Sequence, residues 1–450
     1  KVVLDTNLYV LEKESFDRLL QERPAIAIHM TRELGQRLVS TSKQRFKSQA
    51  RRISALWGMD RGELVETINR FVKKSIAILP LPGCAPYEHL TNILDVFVLP
   101  GDDLSVVNLA SQLGMLVEVY GHILILLPRE VNALARKALS LADTVISIGP
   151  PPLWVEDNVP AEKIWEAHDD PVSLNRVARR LTGHTVGLAL SSGGGKGLAH
   201  IGVMKVLRDE GIPVDMIAGT SAGAFFGIFF ALGWDDSRFD SFADEIQTLN
   251  RWVNWDINIP PRAGVLKGAK ARDIIARLVE NKTFDDINIP FYCVAADVLT
   301  GEEVVFESGE LAEAIRASLS IPILADPWQI DNRYLIDGAF VDPIPARLLR
   351  EKGADIVIAS SVIRPLRPSR RNKSRRMPNF LKIITNIQNM VENQLIHFQQ
   401  DAIDVLIHSD VHVDHVLDFK YARDLIAAGE AAARAQLPAI RACLEVGHDD

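Results

Sequence analysis

Residues 186–223 constrain this chain more than any other stretch, because two apolar runs there each end in a glycine-dense turn that leads into a helical pattern. The first run, Val186-Gly187-Leu188-Ala189-Leu190, is followed by Ser192-Gly193-Gly194-Gly195-Lys196-Gly197. The second, Val214-Asp215-Met216-Ile217-Ala218, is followed by Gly219-Thr220-Ser221-Ala222-Gly223. Glycine alone visits positive φ cheaply and lets another backbone or a ligand come close. Two such turns, about 25 residues apart, make a strand-turn-helix-strand-turn-helix unit. Between them Leu198, Ile201, Met204 and Leu207 recur three apart with Val203 and Val206 beside them, which predicts a helix buried over much of its circumference.

The second turn matches Gly-X-Ser-X-Gly in the context that makes it informative, between a strand and a helix. A sharp turn there holds the Ser221 hydroxyl at the strand's C-terminal end, with Gly219, Ala222 and Gly223 keeping the turn free of bulk. A serine hydroxyl is a weak nucleophile until a base takes its proton, and acyl transfer also needs preorganised donors for the oxyanion. Gly193, Gly194 and Gly195 offer unhindered backbone N–H groups at a helix N-terminus for that purpose. Lys196 either anchors the loop, meets an anionic headgroup or is a surface lysine; Gly197 completes the loop. A phosphate-binding P-loop is the competing reading of this turn. It fails at two required positions, because Leu190 stands where its first glycine belongs and Gly197 where its Ser or Thr belongs.

The chain has 450 residues, which at roughly 100–200 residues per domain predicts two or three domains. A hydrophobic fraction of 47% suffices for real cores. A formal net charge of −8 argues against a general nucleic-acid binder, whose affinity comes from neutralising phosphates. Cys84, Cys293 and Cys443 are odd in number and far apart, so they suggest buried thiols in a reducing compartment and neither a disulfide framework nor a zinc cluster. No cofactor or metal is called for. No apolar run reaches the roughly 18–20 residues of a membrane span.

Residues 1–50 combine a short strand pattern over 6–11 with helical segments over 14–21 and 24–48. With Phe16-Asp17-Arg18-Leu19-Leu20 and Arg23-Pro24, this stretch resembles the closing strand and last helices of a cyclic-nucleotide-binding domain. The resemblance implies that the phosphate-binding part of such a domain would precede Lys1, so that the sequence begins inside a domain and does not itself bind a cyclic nucleotide. Residues 74–150 alternate, with apolar runs at 75–81, 116–120, 122–127 and 144–149 and helix-like segments at 104–113 and 130–142. This predicts a small Rossmann-like parallel α/β domain. Its first turn, Leu81-Pro82-Gly83-Cys84-Ala85-Pro86, lacks the dinucleotide fingerprint, so a structural or regulatory role is expected. Gly149-Pro150-Pro151-Pro152 opens a linker and connector over 151–182. Beyond it, strands are expected at 291–296, 303–306, 334–336 and 356–360, and a helix at 311–318.

Four motifs now stand in order: the glycine loop, the serine turn, Ala317-Ser318-Leu319-Ser320-Ile321-Pro322, and Asp337-Gly338-Ala339. In these, residues 183–363 resemble the patatin-like phospholipases, and the run 170–223 with Arg180-Leu181-Thr182-Gly183 resembles the bacterial branch related to neuropathy target esterase. That branch also couples cyclic-nucleotide-binding-like domains to a patatin domain. The resemblance implies a three-layer α/β/α hydrolase over 183–445 with a mainly parallel sheet. It implies a Ser-Asp dyad of Ser221 and Asp337, with the glycine loop as oxyanion hole and a lipid or lysophospholipid ester as substrate. Gly338 suits a tight turn that lets the carboxylate reach the serine. The family's loop usually begins with glycine where this chain has Ser192; if that position needs positive φ, serine would strain it.

Two alternatives stay open at this level. A conventional triad of Ser221, Asp297 or Asp337, and one of His408, His412 and His415 satisfies the α/β-hydrolase order, whereas His200, within the helix after the loop, suits packing or hydrogen bonding. A catalytically dormant fold used for regulation or recruitment is the other. Seven basic residues and no acid lie from Arg364 to Arg376, ahead of an apolar stripe Phe380, Ile384, Ile387, Val391, Leu395. A cytoplasmic protein is expected, and this segment suits peripheral contact with an anionic membrane as well as a solvated loop before a core-facing helix. The helix from 224 to 232, with Phe225, Phe226, Phe229 and Phe230, begins at the nucleophile and suits an acyl pocket or the core.

Overall fold

The computed structural model describes residues 52–446 apart from 59–61, 73–74, 86, 100, 102, 248–255, 259–262, 365–379, 414 and 417. The tail read as the end of a cyclic-nucleotide-binding-like domain lies outside the described residues, as does the basic run after Arg364.

The first sheet has six parallel strands: β1 (Ile53–Trp57), β2 (Ile76–Pro80), β3 (Val96–Val98), β4 (His122–Leu126), β5 (Thr144–Ile148) and β6 (Ile164–Ala167), in the order β3-β2-β4-β1-β5-β6. Its central strands are mainly apolar, as a parallel sheet covered on both faces requires, and every residue of β2, β4 and β5 is buried. One face is covered by α1 (Gly62–Phe71), the other by α2 (Leu109–Val119) and α3 (Ala133–Leu141). Three sequence expectations change here. The run 116–120 is no strand; it closes α2, because Leu113, Leu116 and Val117 continue a helical face until Gly121 precedes β4. The sheet reaches beyond 74–150, since β1 lies at its centre between β4 and β5. Residues 151–182 are likewise more than a connector. After the prolines the chain makes one helical turn and returns as the short edge strand β6, paired with β5, which a four-residue strand does not advertise.

Helix α4 (Pro171–Thr182) then joins the two sheets. Asp170 caps it by accepting the Ser173 N–H at 2.9 Å, and Gly183 ends it in the left-handed region at φ 75°. Four α4 residues, Leu174, Val177, Ala178 and Leu181, share a core with α1, while Arg179 forks onto the buried Asp215 with Nε–Oδ2 at 2.9 Å. Asp215 also accepts the Val186 N–H at 2.9 Å and so fixes where the second sheet begins.

That sheet takes β7 (Val186–Leu190), β8 (Met216–Thr220), β10 (Phe291–Asp297), β11 (Glu303–Phe306), β13 (Trp328–Ile330), β14 (Arg333–Asp337), β15 (Ile356–Ser361) and β16 (Val405–His408). The strand order is β13-β14-β10-β8-β7-β15-β16, with β11 also on β10; β9 (Gly264–Leu266) and β12 (Ile323–Ala325) form a separate pair. The five strands β10, β8, β7, β15 and β16 run parallel; β11 and β14 pair antiparallel with β10, and β13 pairs antiparallel with β14. All four strands expected beyond the linker are present. Helices α5 (Leu198–Asp209), α6 (Ala222–Ala231), α7 (Asp236–Ile246), α8 (Ala269–Leu278), α9 (Leu311–Ser318), α10 (Ala346–Glu351), α11 (Phe380–Gln399) and α12 (Ala422–Val446) complete this half. The core around α5, α6 and α12 lies on one face and the core of α10, with Ile396 of α11, on the other, giving three layers. Leu198, Ile201, Met204 and Leu207 are fully buried, as their spacing predicts, because α12 covers the side of α5 turned away from the sheet. Of the stripe on α11, Ile387 is exposed and Val391 and Leu395 are half-buried, while Glu392 and Gln399 are buried, so these described positions do not turn an apolar face to the core.

Candidate active site

Strand register brings the motifs together. Leu190 pairs with Gly219, so the two glycine turns leave the same edge of the sheet side by side. Thr220 pairs with Val294 on β10, and Ala295 pairs with Asp337 on the antiparallel β14, which delivers the aspartate beside the residue after Thr220. Nothing local in the sequence joins these positions; the crossing of β14 against β10 does.

Ser221 occupies the turn between β8 and α6 at φ 54° and ψ −116°, a conformation that costs a non-glycine residue about 1–3 kcal/mol. Its hydroxyl donates to Asp337 Oδ2 at 2.6 Å, and both residues are buried. The other Asp337 oxygen accepts the Ala339 N–H at 2.9 Å. Burial pushes the Asp337 carboxyl up to about 7, against the lowering influence of the Ser221 and Ala339 hydrogen bonds, and the carboxyl of Glu392 adds to the rise. Gly338 works by close approach, since a Cβ there would stand 2.4 Å from the Val294 carbonyl oxygen and push the aspartate off β10.

The three expected oxyanion donors are placed differently. Gly194 lines the same cavity as Ser221, at φ 58°, and a Cβ on it would meet the Val416 carbonyl oxygen at 2.3 Å. Gly193 lies beside it, against Val362. The Gly195 N–H instead donates to Val416 O at 2.7 Å, a brace that takes this donor out of the set. Lys196 anchors the loop, donating from Nζ to Val362 O at 3.1 Å. Gly197 packs under Ala222 and Phe226. Ser192 is not among the positive-φ residues, so the departure from the family's glycine brings no backbone strain; its hydroxyl donates to Glu392 Oε1 at 3.0 Å.

His200 is structural. Its Nε2–H donates to the Ser191 carbonyl at 2.9 Å, which leaves Nδ1 to accept from Ser360 Oγ at 2.8 Å, and burial lowers its pKa to about 4. Among the described residues no histidine is hydrogen-bonded to Ser221 or Asp337, and Asp297 instead accepts the N–H of Leu299. The triad alternative therefore has no geometry behind it.

A cavity of about 140 Å³ opens at Ser221, Gly194 and Ala222, lined by apolar side chains including Phe225, Ile275, Leu319, Ile321 and Phe419. Of the four phenylalanines on α6, Phe225 and Phe226 face it, whereas Phe229 stacks on Trp234 in the core at 4.1 Å between ring centroids. The same wall contains Arg316, whose guanidinium is buried and spent on the carbonyls of Gly268, Lys267 and Asp326 and on Ser320 Oγ. Its charge is thus held in the scaffold that ties α9 to β9 and β12.

Three residues escaped the sequence reading. Ala222 places a backbone N–H beside Ser221 at the start of α6, which the Gly-X-Ser-X-Gly motif itself signals through its fourth position. Ser318 accepts the Ser221 N–H at 2.8 Å and lies inside a motif already singled out. Glu392 had no signal, because 200 positions separate it from Ser192.

The sequence model of the patatin-like phospholipase family matches residues 188–350. A patatin-like phospholipase domain-containing protein of Caenorhabditis elegans is 38% identical over 197 residues, covering 42% of this chain and 14% of that protein. An uncharacterized NTE family protein of Mycobacterium tuberculosis is 38% identical over 179 residues, 39% of this chain and 49% of the other. Human patatin-like phospholipase domain-containing protein 6 is 33% identical over 208 residues, 45% of this chain and 15% of the other. The chain thus spans half or less of the length of each of these relatives. The structure of VipD from Legionella pneumophila aligns at a TM-score of 0.33 and 12% identity over 57% of this chain and 66% of that one, too low a similarity for comparing sites. All four motifs lie within or at the ends of the matched segment, on the fold described above. Over residues 188–350 the chain matches the patatin-like phospholipase family model, and the relatives it resembles include proteins named for NTE.

Proposed function

We propose that the chain is a serine esterase that hydrolyses the carboxylic esters of lysophospholipids and phospholipids through an acyl-serine intermediate, with Ser221 as nucleophile, Asp337 as base and residues 183–445 as the catalytic domain. The observation that carries this reading is the 2.6 Å hydrogen bond from Ser221 Oγ to Asp337 Oδ2 at the mouth of an apolar cavity. As Oγ attacks the ester carbonyl, its proton passes to Asp337, and the oxyanion meets the N–H groups of Gly193, Gly194 and Ala222. The intermediate collapses, the C–O bond to the alcohol breaks, and Asp337 returns the proton to the leaving oxygen. Water then attacks the acyl-serine with Asp337 again taking a proton, and the fatty acid leaves with Ser221 restored. A carboxyl whose affinity for protons sits near neutral pH suits both halves of this cycle.

The cavity's apolar wall favours an acyl chain. Residues 364–376 with α11 form the proposed contact with an anionic membrane: Ile383, Ile387, Met390 and Phe398 are exposed along one face of α11, next to the basic run. Among the described residues no helix is long and apolar enough to cross a membrane. The first sheet, whose turn after β2 lacks the dinucleotide fingerprint, is assigned a structural or regulatory role.

Turnover of lysophosphatidylcholine by the purified chain, compared with Ser221→Ala, tests the enzyme reading. Fatty-acid release by the parent and none by the variant is expected; no turnover of any ester by the parent would favour a dormant fold. Co-sedimentation with phosphatidylserine vesicles tests the membrane contact, and binding equal to that on neutral vesicles would contradict it.

A further inference from the structure

We propose that Glu392 is a positioning residue of the esterase: reaching in from α11, it holds the hydroxyl of Ser192 and thereby fixes the glycine loop against the nucleophile. The inference rests on the reading of Gly193 and Gly194 as oxyanion donors.

Ser192 is the hinge between β7 and the loop. Its N–H donates to Pro343 O at 2.9 Å, and its Oγ donates to Glu392 Oε1 at 3.0 Å. The same carboxyl oxygen accepts Gln388 Nε2 at 3.0 Å, one helical turn earlier on α11. Further along, Gly193 packs against the Val362 side chain, Lys196 Nζ donates to the Val362 carbonyl, and the Gly195 N–H donates to the Val416 carbonyl. Glu392 supplies the side chain that holds the Ser192 hydroxyl at the start of the loop.

A buried carboxyl is a costly choice for this purpose, since an amide or hydroxyl would hold Ser192 without a charge. Glu392 is 4% exposed, and among the described residues it makes no ion pair within bonding distance. The charged groups that act on it are few. Lys196, whose charge favours the ionised Glu392, is committed to the Val362 carbonyl and is itself opposed by Arg364. Burial raises the Glu392 carboxyl's own affinity for protons, against the lowering influence of Ser192, Lys196 and Gln388, and in its ionised form it makes Asp337 harder to ionise. Gln388 and Ser192 are neutral donors. Glu392 therefore touches the dyad twice, through the loop it positions and through the field it places on the base.

The test compares Glu392→Ala, Glu392→Gln, Ser192→Ala and the Glu392→Ala/Ser192→Ala double variant in kcat, KM and pH profile, with wild type alongside. Oxyanion contacts act in the transition state, so each alanine variant should lose about tenfold or more in kcat with KM little changed, and the double variant should be no worse than the poorer single one. Glu392→Gln keeps an acceptor for Ser192 and should recover most of kcat, while its acid limb moves to lower pH because the negative neighbour of Asp337 is gone. A purely structural glutamate would instead lower thermal stability and leave kcat and the limb of the folded enzyme alone. Folded alanine variants with wild-type kcat, losses that add in the double variant, or a Glu392→Gln profile that superimposes on wild type each overturn the proposal. Should the alanine variants fail to fold, the Glu392→Gln profile decides. If wild type turns over no ester, the esterase reading fails and the positioning role falls with it; if wild type is active and the variants match it, only Glu392 is dismissed.

Discussion

Ser318 stands directly behind Ser221 and links it to the sheet: its hydroxyl accepts the Ser221 N–H at 2.8 Å and donates to the Val294 carbonyl at 2.6 Å. The strained serine turn is thus tied to β10, the strand that also pairs with Asp337. Ser318→Ala leaves a buried N–H and a buried carbonyl without this partner, a loss of about 1–3 kcal/mol. A lower melting temperature together with a reduced kcat is the expected outcome in calorimetry and turnover assays. Unchanged values of both would show that the turn holds itself.

The raised Asp337 carboxyl makes activity and stability respond to pH with opposite signs. In its proposed role as base it must be ionised, so kcat/KM should rise with a single proton's slope and reach half its plateau near pH 7, where burial has placed its pKa. For stability, the folded-state pKa lies above the unfolded value of about 3.9, so the contribution is full below about pH 4 and is lost as pH rises through about 7. Asp337→Asn has no charge to bury. It should be inactive yet melt above wild type at pH 8, by up to about 4 kcal/mol in stability, and close to wild type at pH 4. Thermal melts at the two pH values check the sign.

The oxyanion loop can be disturbed at one atom. Gly194→Ala places a methyl group 2.3 Å from the Val416 carbonyl oxygen at a φ of 58°. The loop must shift, and kcat should fall on the order of a hundredfold, comparable to the loss of an oxyanion donor. Stopped turnover with an intact fold by circular dichroism is the predicted result; wild-type kcat would remove Gly194 from the oxyanion site.

The apolar cavity should set chain length. Ala271 lines it, and Ala271→Phe fills part of its volume. Measured over an ester series, kcat/KM should drop most for the longest acyl chains and least for acetate esters. A uniform drop would place the acyl chain elsewhere.

Much of this site was readable before the fold. Ser221 and Asp337 sit in short motifs whose chemistry is local, and the apolar runs of β7 and β8 are buried throughout, as such runs should be. What escaped was set by contacts distant in sequence. The strand β6 is four residues at an edge, and the Leu116–Tyr120 segment suits helix and strand alike until α2 is seen to carry it. Ser192 reads as a defect if the position is assumed to need positive φ, and becomes a hydrogen-bond donor once α11 brings Glu392 to it. The Gly195 N–H is claimed by Val416, more than two hundred positions on, which no glycine pattern could announce.

The central claim is that Ser221 is a nucleophile activated by Asp337 alone, and covalent labelling tests it most directly. A fluorophosphonate should form one adduct, mapped by mass spectrometry to Ser221, at a rate that rises through about pH 7 and collapses in Asp337→Asn while surviving alanine replacement of His408, His412 and His415. An adduct on another residue, undiminished labelling in Asp337→Asn, or its loss on replacing one of those histidines would contradict the account.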